Sequence, residues 1–358
     1  MSLTKLDIYS LRNIQQESIN PIAGINFFYG ENGSGKSSII EAIYILGRAN
    51  SFRSKSIKSI INFSKDELIV SAKKQEPNGL ISNIGVLLND KKIRCHINHQ
   101  LTKRRSELAY TLPIQIIHPK SFELLDSGPQ IRREFLDWGV FHDNENFLLI
   151  FSKFKTALIQ RNALLKSKKI QLIDVWNKEL IYYGTIVNQY REVYIQKFKP
   201  IFLNILKYFF QIENIDLKLL PGWDTSLELE SILVSNLEKD LRYGFTQNGP
   251  HRGDFQISMD DRLVKDVVSR GQLKLFVISL KLAQMQLLLN EKINKGCFLI
   301  DDFSAELDVE NREKLLLYLS NMNCQVFITA TEISEFGNLS KINNYKMFHV
   351  EHGTIKSV

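Results

Sequence analysis

The chain has 358 residues, 44% hydrophobic and 24% charged, with a net charge of +7. That length carries two domains or one domain with a large insertion, and the composition excludes a disordered chain. No apolar run reaches the ~18 residues that span a bilayer, the opening MSLTKLDIYSLRN lacks the apolar core and cleavage site of a signal peptide, and the three scattered cysteines (Cys95, Cys297, Cys324) argue against a zinc site or disulfide framework and for a reducing cytoplasm.

In chain order, LTKLDIYSL alternates as a strand and GINFFY reads as a buried strand. GENGSGKSS follows, then a helix from Lys36 to about Leu46, with Ile39, Ile40, Ile43 and Leu46 inward and Gly47 placed to end it. Residues 66–117 read as a series of strands: ELIVSAKK, NIGVLLND, KKIRCHI and LPIQII. From about Ser121 to Tyr243 the pattern turns mostly helical. Phe147, Phe151, Phe154 and Leu158 form one stripe; Leu172, Trp176, Leu180, Tyr183, Val187, Tyr190 and Tyr194 form another, ending or kinking near Pro200. These predict a helical hairpin, too short for a long coiled-coil arm. DFQISMDDRLVKDVVS restores strand character, a helix follows from Gln272 to about Lys292, CFLIDD and QVFITAT are strands, and KMFHVEHGTIKSV closes as a hairpin. The expected organisation is an α/β unit in two sequence pieces, residues 1–120 and 245–358, split by a helical insertion at 121–244.

Residues 30–38 match G-x-x-x-x-G-K-[ST] between a strand and a helix. Glycines let such a loop turn its N–H groups onto phosphates, Lys36 reaches the terminal phosphates, Ser37 offers a hydroxyl to Mg²⁺, and the following helix presents its positive end. CFLIDD ends a strand in two carboxylates, where parallel sheets place ligands. Asp301 is expected to hold Mg²⁺ and Asp302 to orient or deprotonate a water. In VSRGQLKL, Ser269, Gly271 and Gln272 open a helix and form either a second anion site or an ordinary helix cap. The basic stretches FRSKSIK (residues 52–58) and KKIRCHINHQLTKRR (residues 91–105), the pair Arg132–Arg133 and KSKK (residues 166–169) fit polyanion binding or plain solvated surface.

These motifs together resemble the ABC/SMC class of P-loop ATPases and, within it, the RecF family of bacterial DNA replication and repair proteins. The resemblance covers essentially the whole chain, through LRN (residues 11–13), GENGSGKSSIIEAIYILG, HPKSFELLDSGPQIRREFLD, TQNGPHRGDF, VSRGQLKL, LIDDFSAELD and QVFITAT. It implies an α/β ATPase head of ABC/SMC type, with a β-rich subdomain and an inserted helical domain. ATP and Mg²⁺ would be sandwiched between two copies of the chain. One copy would supply Gly30, Glu31, Asn32, Gly33, Ser34, Gly35, Lys36, Ser37 and Ser38, with Arg12 and Asn13; the other would supply Ser269, Gly271 and Gln272, with Asp308 at the seam. Hydrolysis to ADP and phosphate would release an ATP-dependent homodimer from duplex or gapped DNA, in a pathway with RecR, RecO and RecA. Arg53, Lys55, Lys58, Arg104 and Arg105 are the candidate DNA contacts, and Gln115 the candidate glutamine-loop residue.

The chain departs from the family pattern in three places: GPHRGD has Gly253 where many relatives carry Asp, the signature is SRGQ rather than SxGGQ, and Asp302 replaces the usual Glu, which favours slow turnover. An ATP-binding subunit of a membrane transporter would share the ATPase motifs. It fits poorly with the long gap from Ser38 to Ser269 and with the lack of a clear histidine after QVFITAT. A P-loop kinase leaves SRGQ and SAELD without a role.

Overall fold

The computed structural model describes residues 1–76, 78–102, 104–210, 213–291 and 296–358. Lys103 of the basic stretch and Lys292, expected near a helix end, lie outside the described residues. The chain forms two compact units, residues 1–121 with 274–358, and residues 122–273.

Among the described residues the first unit holds two six-stranded sheets. One runs, in spatial order, Thr354–Ser357, Tyr345–Glu351, Ile25–Tyr29, Gln325–Ala330, Cys297–Ile300 and Ile114–Ile117, with every neighbouring pair parallel except the first. Its central strands are continuous apolar runs, as strands covered on both faces must be. The order places Gln325–Ala330 between the strand that feeds the glycine loop and the strand that ends in Asp301–Asp302. Loop and carboxylates therefore leave the sheet at the same carboxyl edge.

The second sheet is antiparallel: Ile14–Ile19, Ser2–Leu11, Glu67–Gln75, Ile81–Asn89, Ile93–Ile97 and Gln100–Thr102. Alternation sets Leu68, Val70 and Ala72 opposite Leu88, Val86 and Ile84 on its buried face. The helix Lys36–Arg48 shares one core with both sheets, and its four predicted inner residues are fully buried. Gly47 does not end this helix. It lies inside it because a Cβ there would meet the Leu112 carbonyl at 2.5 Å, and Ala49, at φ 49°, makes the left-handed cap instead. The stretch read as strands also contains a short helix, Arg105–Thr111. All three cysteines are buried and free.

The second unit is built on the helices Pro129–Asp143, Phe147–Ser167 and Ile173–Phe209, with a small antiparallel sheet of Arg262–Leu263, Asp254–Met259 and Ile215–Leu220. The two long helices pack as a hairpin through the Phe147–Tyr190 rings, 6.4 Å apart, and the Arg161–Asn177 hydrogen bond of 2.7 Å. Leu180, Val187 and Tyr194 are buried as the stripe predicts, but Leu172 is exposed. The helix neither ends nor breaks at Pro200. Proline in a helix costs ~3 kcal/mol, and burial of Phe198, Phe202, Ile205, Leu206 and Phe209 around it offsets that.

The unit boundary falls after Leu273 rather than after 244. The strand Ile215–Leu220 was missed in the helical stretch, and it pairs with Asp254–Met259, which ties residues 245–273 to the helices. The motifs GPQIRREFLD and GPHRGD meet inside this unit. Arg132 grips Asp254 with two bonds of 2.8 Å, Arg133 donates to the Gly253 carbonyl at 2.9 Å, and Arg191 binds Asp137 at 2.8 Å and the Pro250 carbonyl at 2.7 Å. A Cβ on Gly253 would sit 3.0 Å from the Pro221 carbonyl and 3.1 Å from Arg191, so this chain uses the missing side chain for close packing.

The helix Arg270–Glu291 is, over Arg270–Asn290, long and apolar enough to cross a bilayer. Lys274 and Lys281 interrupt it, and 72% of its apolar window is buried, as in a core helix.

Candidate nucleotide-binding site

At the carboxyl edge of the parallel sheet a cavity of about 270 Å³ is lined by Asn32, Gly33, Gly35, Lys36, Ser37 and Ser38 of the glycine loop, by Arg12 and Asn13, and by Asp301 and Asp302. Arg53, Thr329 and Thr331 complete it. The loop is held by backbone shape and bracing. Gly30 and Gly35 take φ 153° and 120°, and a Cβ on Gly30 would lie 2.1 Å from the Val350 carbonyl. Asn13 donates to the carbonyls of Gly33 and Ser34 at 3.1 and 3.0 Å and accepts from the Ser38 hydroxyl at 3.3 Å. Its amide thus serves as a brace across the loop. Gly30 and Glu31 stand behind the cavity, where their carbonyls accept from Lys36 Nζ at 2.6 and 2.9 Å, and the Ser34 carbonyl also accepts from Gly353 N at 2.7 Å. Burial lowers the Lys36 pKa, opposed by the charges of Asp302, Asp301 and Glu335.

The two acids differ in setting. Asp301 is buried and its carboxylate accepts from Thr329 Oγ1 at 2.9 Å. Burial raises its pKa, against the hydrogen bonds from Ser37 and Thr329 and the charge of Arg53. A buried acid touching the Ser37 hydroxyl is a donor set that suits a hard cation such as Mg²⁺. Asp302 is exposed, in the left-handed region at φ 62°, with its N–H donated to the same Thr329 Oγ1 at 2.9 Å. Thr329 therefore sets both acids. The sequence reading missed it because only the strand order brings it between them; the visible signal was a hydroxyl ending the apolar run QVFITA.

Ser269, Gly271 and Gln272 belong to the second unit and are not among the lining residues. They are exposed, and they cap the helix Arg270–Glu291 reciprocally: Ser269 N donates to Gln272 Oε1 at 2.9 Å and Gln272 N to Ser269 Oγ at 3.2 Å. Asp308 is an exposed cap of Val309–Asn321, accepting from Asn311 N at 2.9 Å, and that bond lowers its pKa. Gln115 does not reach the cavity. Its amide is buried in the sheet and donates to Gln284 at 2.5 Å. Arg53, Lys55, Lys58, Arg104 and Arg105 are all exposed, and Arg53, grouped with the others as a DNA contact, also lines the cavity.

Comparison with known proteins agrees with this arrangement. The RecF/RecN/SMC N-terminal domain family matches residues 2–356. A DNA replication and repair protein RecF of Shewanella denitrificans is 39% identical over 99% of both chains. A solved structure of the recombination mediator protein RecF with ATP, of the RecFOR pathway, matches with a TM-score of 0.86 at 25% identity over 99% of this chain and 97% of that one. An Smc head domain of Pyrococcus furiosus with an extended coiled coil shares the fold alone, with a TM-score of 0.59 at 14% identity over 99% and 95%. A family match across almost the whole chain and relatives of the same length place the fold as an ABC/SMC-type ATPase head, and the chain belongs to the RecF family of DNA replication and repair proteins.

Proposed function

We propose that this chain is an ATP-dependent DNA-binding protein of recombinational repair and replication restart. The observation that carries the proposal is the convergence of Lys36, Ser37, Arg12, Asp301 and Asp302 on one cavity at the carboxyl edge of a parallel sheet. ATP would lie with its phosphates in the Gly30–Ser38 loop, where Lys36 Nζ would exchange the Gly30 and Glu31 carbonyls for phosphate oxygens. Mg²⁺ would be held by Ser37 Oγ and Asp301 and would neutralise charge on the terminal phosphates. The Asp302 carboxylate would accept the proton of the attacking water. As the shorter acid it would do so slowly, which suits a timed clamp.

Arg53 is better read as a nucleotide contact than as a DNA contact, since it lines the cavity. The exposed cap at Ser269–Gln272 would close over the phosphates of a second copy, so that ATP makes a homodimer and hydrolysis releases it. Duplex or gapped DNA would be held through backbone phosphates, with Lys55, Lys58, Arg104 and Arg105 as candidates. RecR, RecO and RecA would be the partners in loading recombinase, by family likeness.

The test is the mass of the wild-type chain in solution. ATP with Mg²⁺ should double it, ADP should not, and gapped DNA should sustain the doubled form. A mass indifferent to nucleotide would refute the clamp reading.

A further inference from the structure

Glu41 lies on the helix Lys36–Arg48, five residues beyond the loop lysine, and its side chain is fully buried. It does not line the cavity. Its carboxylate accepts from Arg12 at Nε and, at 2.9 Å, at a terminal nitrogen, and it also accepts from the Ser51 hydroxyl. Ser51 Oγ in turn accepts from the backbone N–H groups of Arg53 and Ser54, each at 3.0 Å. Between them Phe52 packs against Tyr44 of the same helix and His118, with ring centroids 5.4 and 5.3 Å away. One carboxylate thus holds both segments that bring arginines to the cavity: Arg12 by a two-point grip, and the turn of Arg53 through a hydroxyl. Two of the five guanidinium donors of Arg12 are engaged by Glu41, which leaves others for an anion.

We propose that Glu41 is a positioning residue of the nucleotide site, presetting Arg12 and Arg53 as a pair before the anionic nucleotide arrives. Fixed donors cost no reorganisation when charge develops, which is how such groups accelerate phosphoryl transfer. The buried Glu41 charge is stabilised by its three hydrogen bonds, so its removal should free both arginines at once.

The inference rests on the nucleotide reading of the cavity, and Lys36→Ala separates the two. ATPase kcat/KM and thermal melts would be measured for Glu41→Gln, Ser51→Ala, Arg12→Ala and the Arg12→Ala/Glu41→Gln double variant. Glu41→Gln should lower kcat/KM about tenfold or more, the range expected for hydrogen bonds to charged groups, and Ser51→Ala about threefold. The double variant should fall below Arg12→Ala only by the factor that Ser51→Ala costs, because Glu41 acts through Arg12 and Ser51. A full product of the single losses would overturn the proposal, and so would normal kcat/KM with a lowered melt in both Glu41→Gln and Ser51→Ala.

Should Glu41→Gln fail to fold, the decision falls to Ser51→Ala with Arg53→Ala: losses that do not multiply support the bracket, and losses that multiply sink it. If Lys36→Ala keeps wild-type ATP binding, the nucleotide reading itself fails. If Lys36→Ala loses ATP while the Glu41 and Ser51 variants behave as wild type, only the role of Glu41 fails.

Discussion

Basic residues that brace the second unit can be set beside those that line the cavity of the first. In the second unit Arg132, Arg161 and Arg191 each have a carboxylate of their own: Asp254, Asp240 and Asp137. Arg161 and Asp240 are both fully buried, with Asn177 and Thr246 each 2.7 Å from the guanidinium. In the first unit Lys36 rests on two neutral carbonyls beside a cavity, and Arg53 reaches the same cavity. A guanidinium paired with its own acid inside the second unit holds the fold together, whereas Lys36 on neutral dipoles, and Arg12 with donors left beyond Glu41, line a cavity and keep capacity for a ligand. Arg132 of GPQIRREFLD therefore serves as a strut onto Asp254 of GPHRGD, with Arg133 donating to the Gly253 carbonyl beside it, although from sequence the pair Arg132–Arg133 looked as available as any other basic stretch.

The largest expected effect lies with the struts. Arg161→Ala leaves Asp240 buried and unpaired, and should cost ~3–5 kcal/mol of unfolding free energy. Denaturant unfolding would measure it, and a loss below about 1 kcal/mol would remove the distinction between the units. His251 probes the same network by pH. Burial holds its pKa down at about 4, helped by the charges of Arg252, Arg133 and Arg161 and opposed by its bond to the Thr246 carbonyl. A depressed histidine contributes stability that is full above its unfolded pKa of ~6.5 and is lost as pH falls towards 4. The full difference is ~3 kcal/mol, and His251→Gln should flatten that part of the stability profile. An unchanged profile would mean that other groups carry the acid sensitivity.

On the cavity side, Lys36→Ala should weaken ATP binding about a hundredfold while the melt of the ligand-free protein barely moves, since only two carbonyl bonds disappear. Titration with a fluorescent ATP analogue would show it; equal affinity would deny the phosphate cradle. The smallest effect is at the exposed arginines. Arg104→Ala with Arg105→Ala should reduce the salt slope of DNA binding by about 1 for each DNA phosphate no longer neutralised. Arg53→Ala should leave that slope unchanged and weaken ATP instead. Reversed outcomes would return Arg53 to the DNA surface.

Much of the cavity was legible because its motifs are local. The glycine loop and Asp301–Asp302 each declare themselves within nine residues, and the strand-to-helix context is adjacent in sequence. What could not be read depends on distant pairing. Thr329 gains its place only because Gln325–Ala330 inserts between two strands far from it in the chain. Arg53 sits in a basic stretch, and only the bracket through Ser51 turns it to the cavity. Gly47 carried the signal of a helix end, yet its missing Cβ serves packing against Leu112. Likewise the residues 245–273 joined the helical unit through a strand, Ile215–Leu220, whose short alternation was masked by helix on either side.

The central claim is that the cavity on one copy is completed by the helix cap at Ser269–Gln272 of another. Sedimentation of Ser269→Arg with ATP and Mg²⁺, beside a thermal melt, tests it most directly. Ser269 is exposed and its own glycine loop is untouched, so the variant should bind ATP with normal affinity. It should nevertheless remain a monomer, because a bulky cation occupies the place of the partner's phosphate. Loss of the cap alone would cost the ~1 kcal/mol of stability typical of such caps, lowering the melt, and leave association intact. An ATP-dependent dimer of wild-type strength would contradict the account.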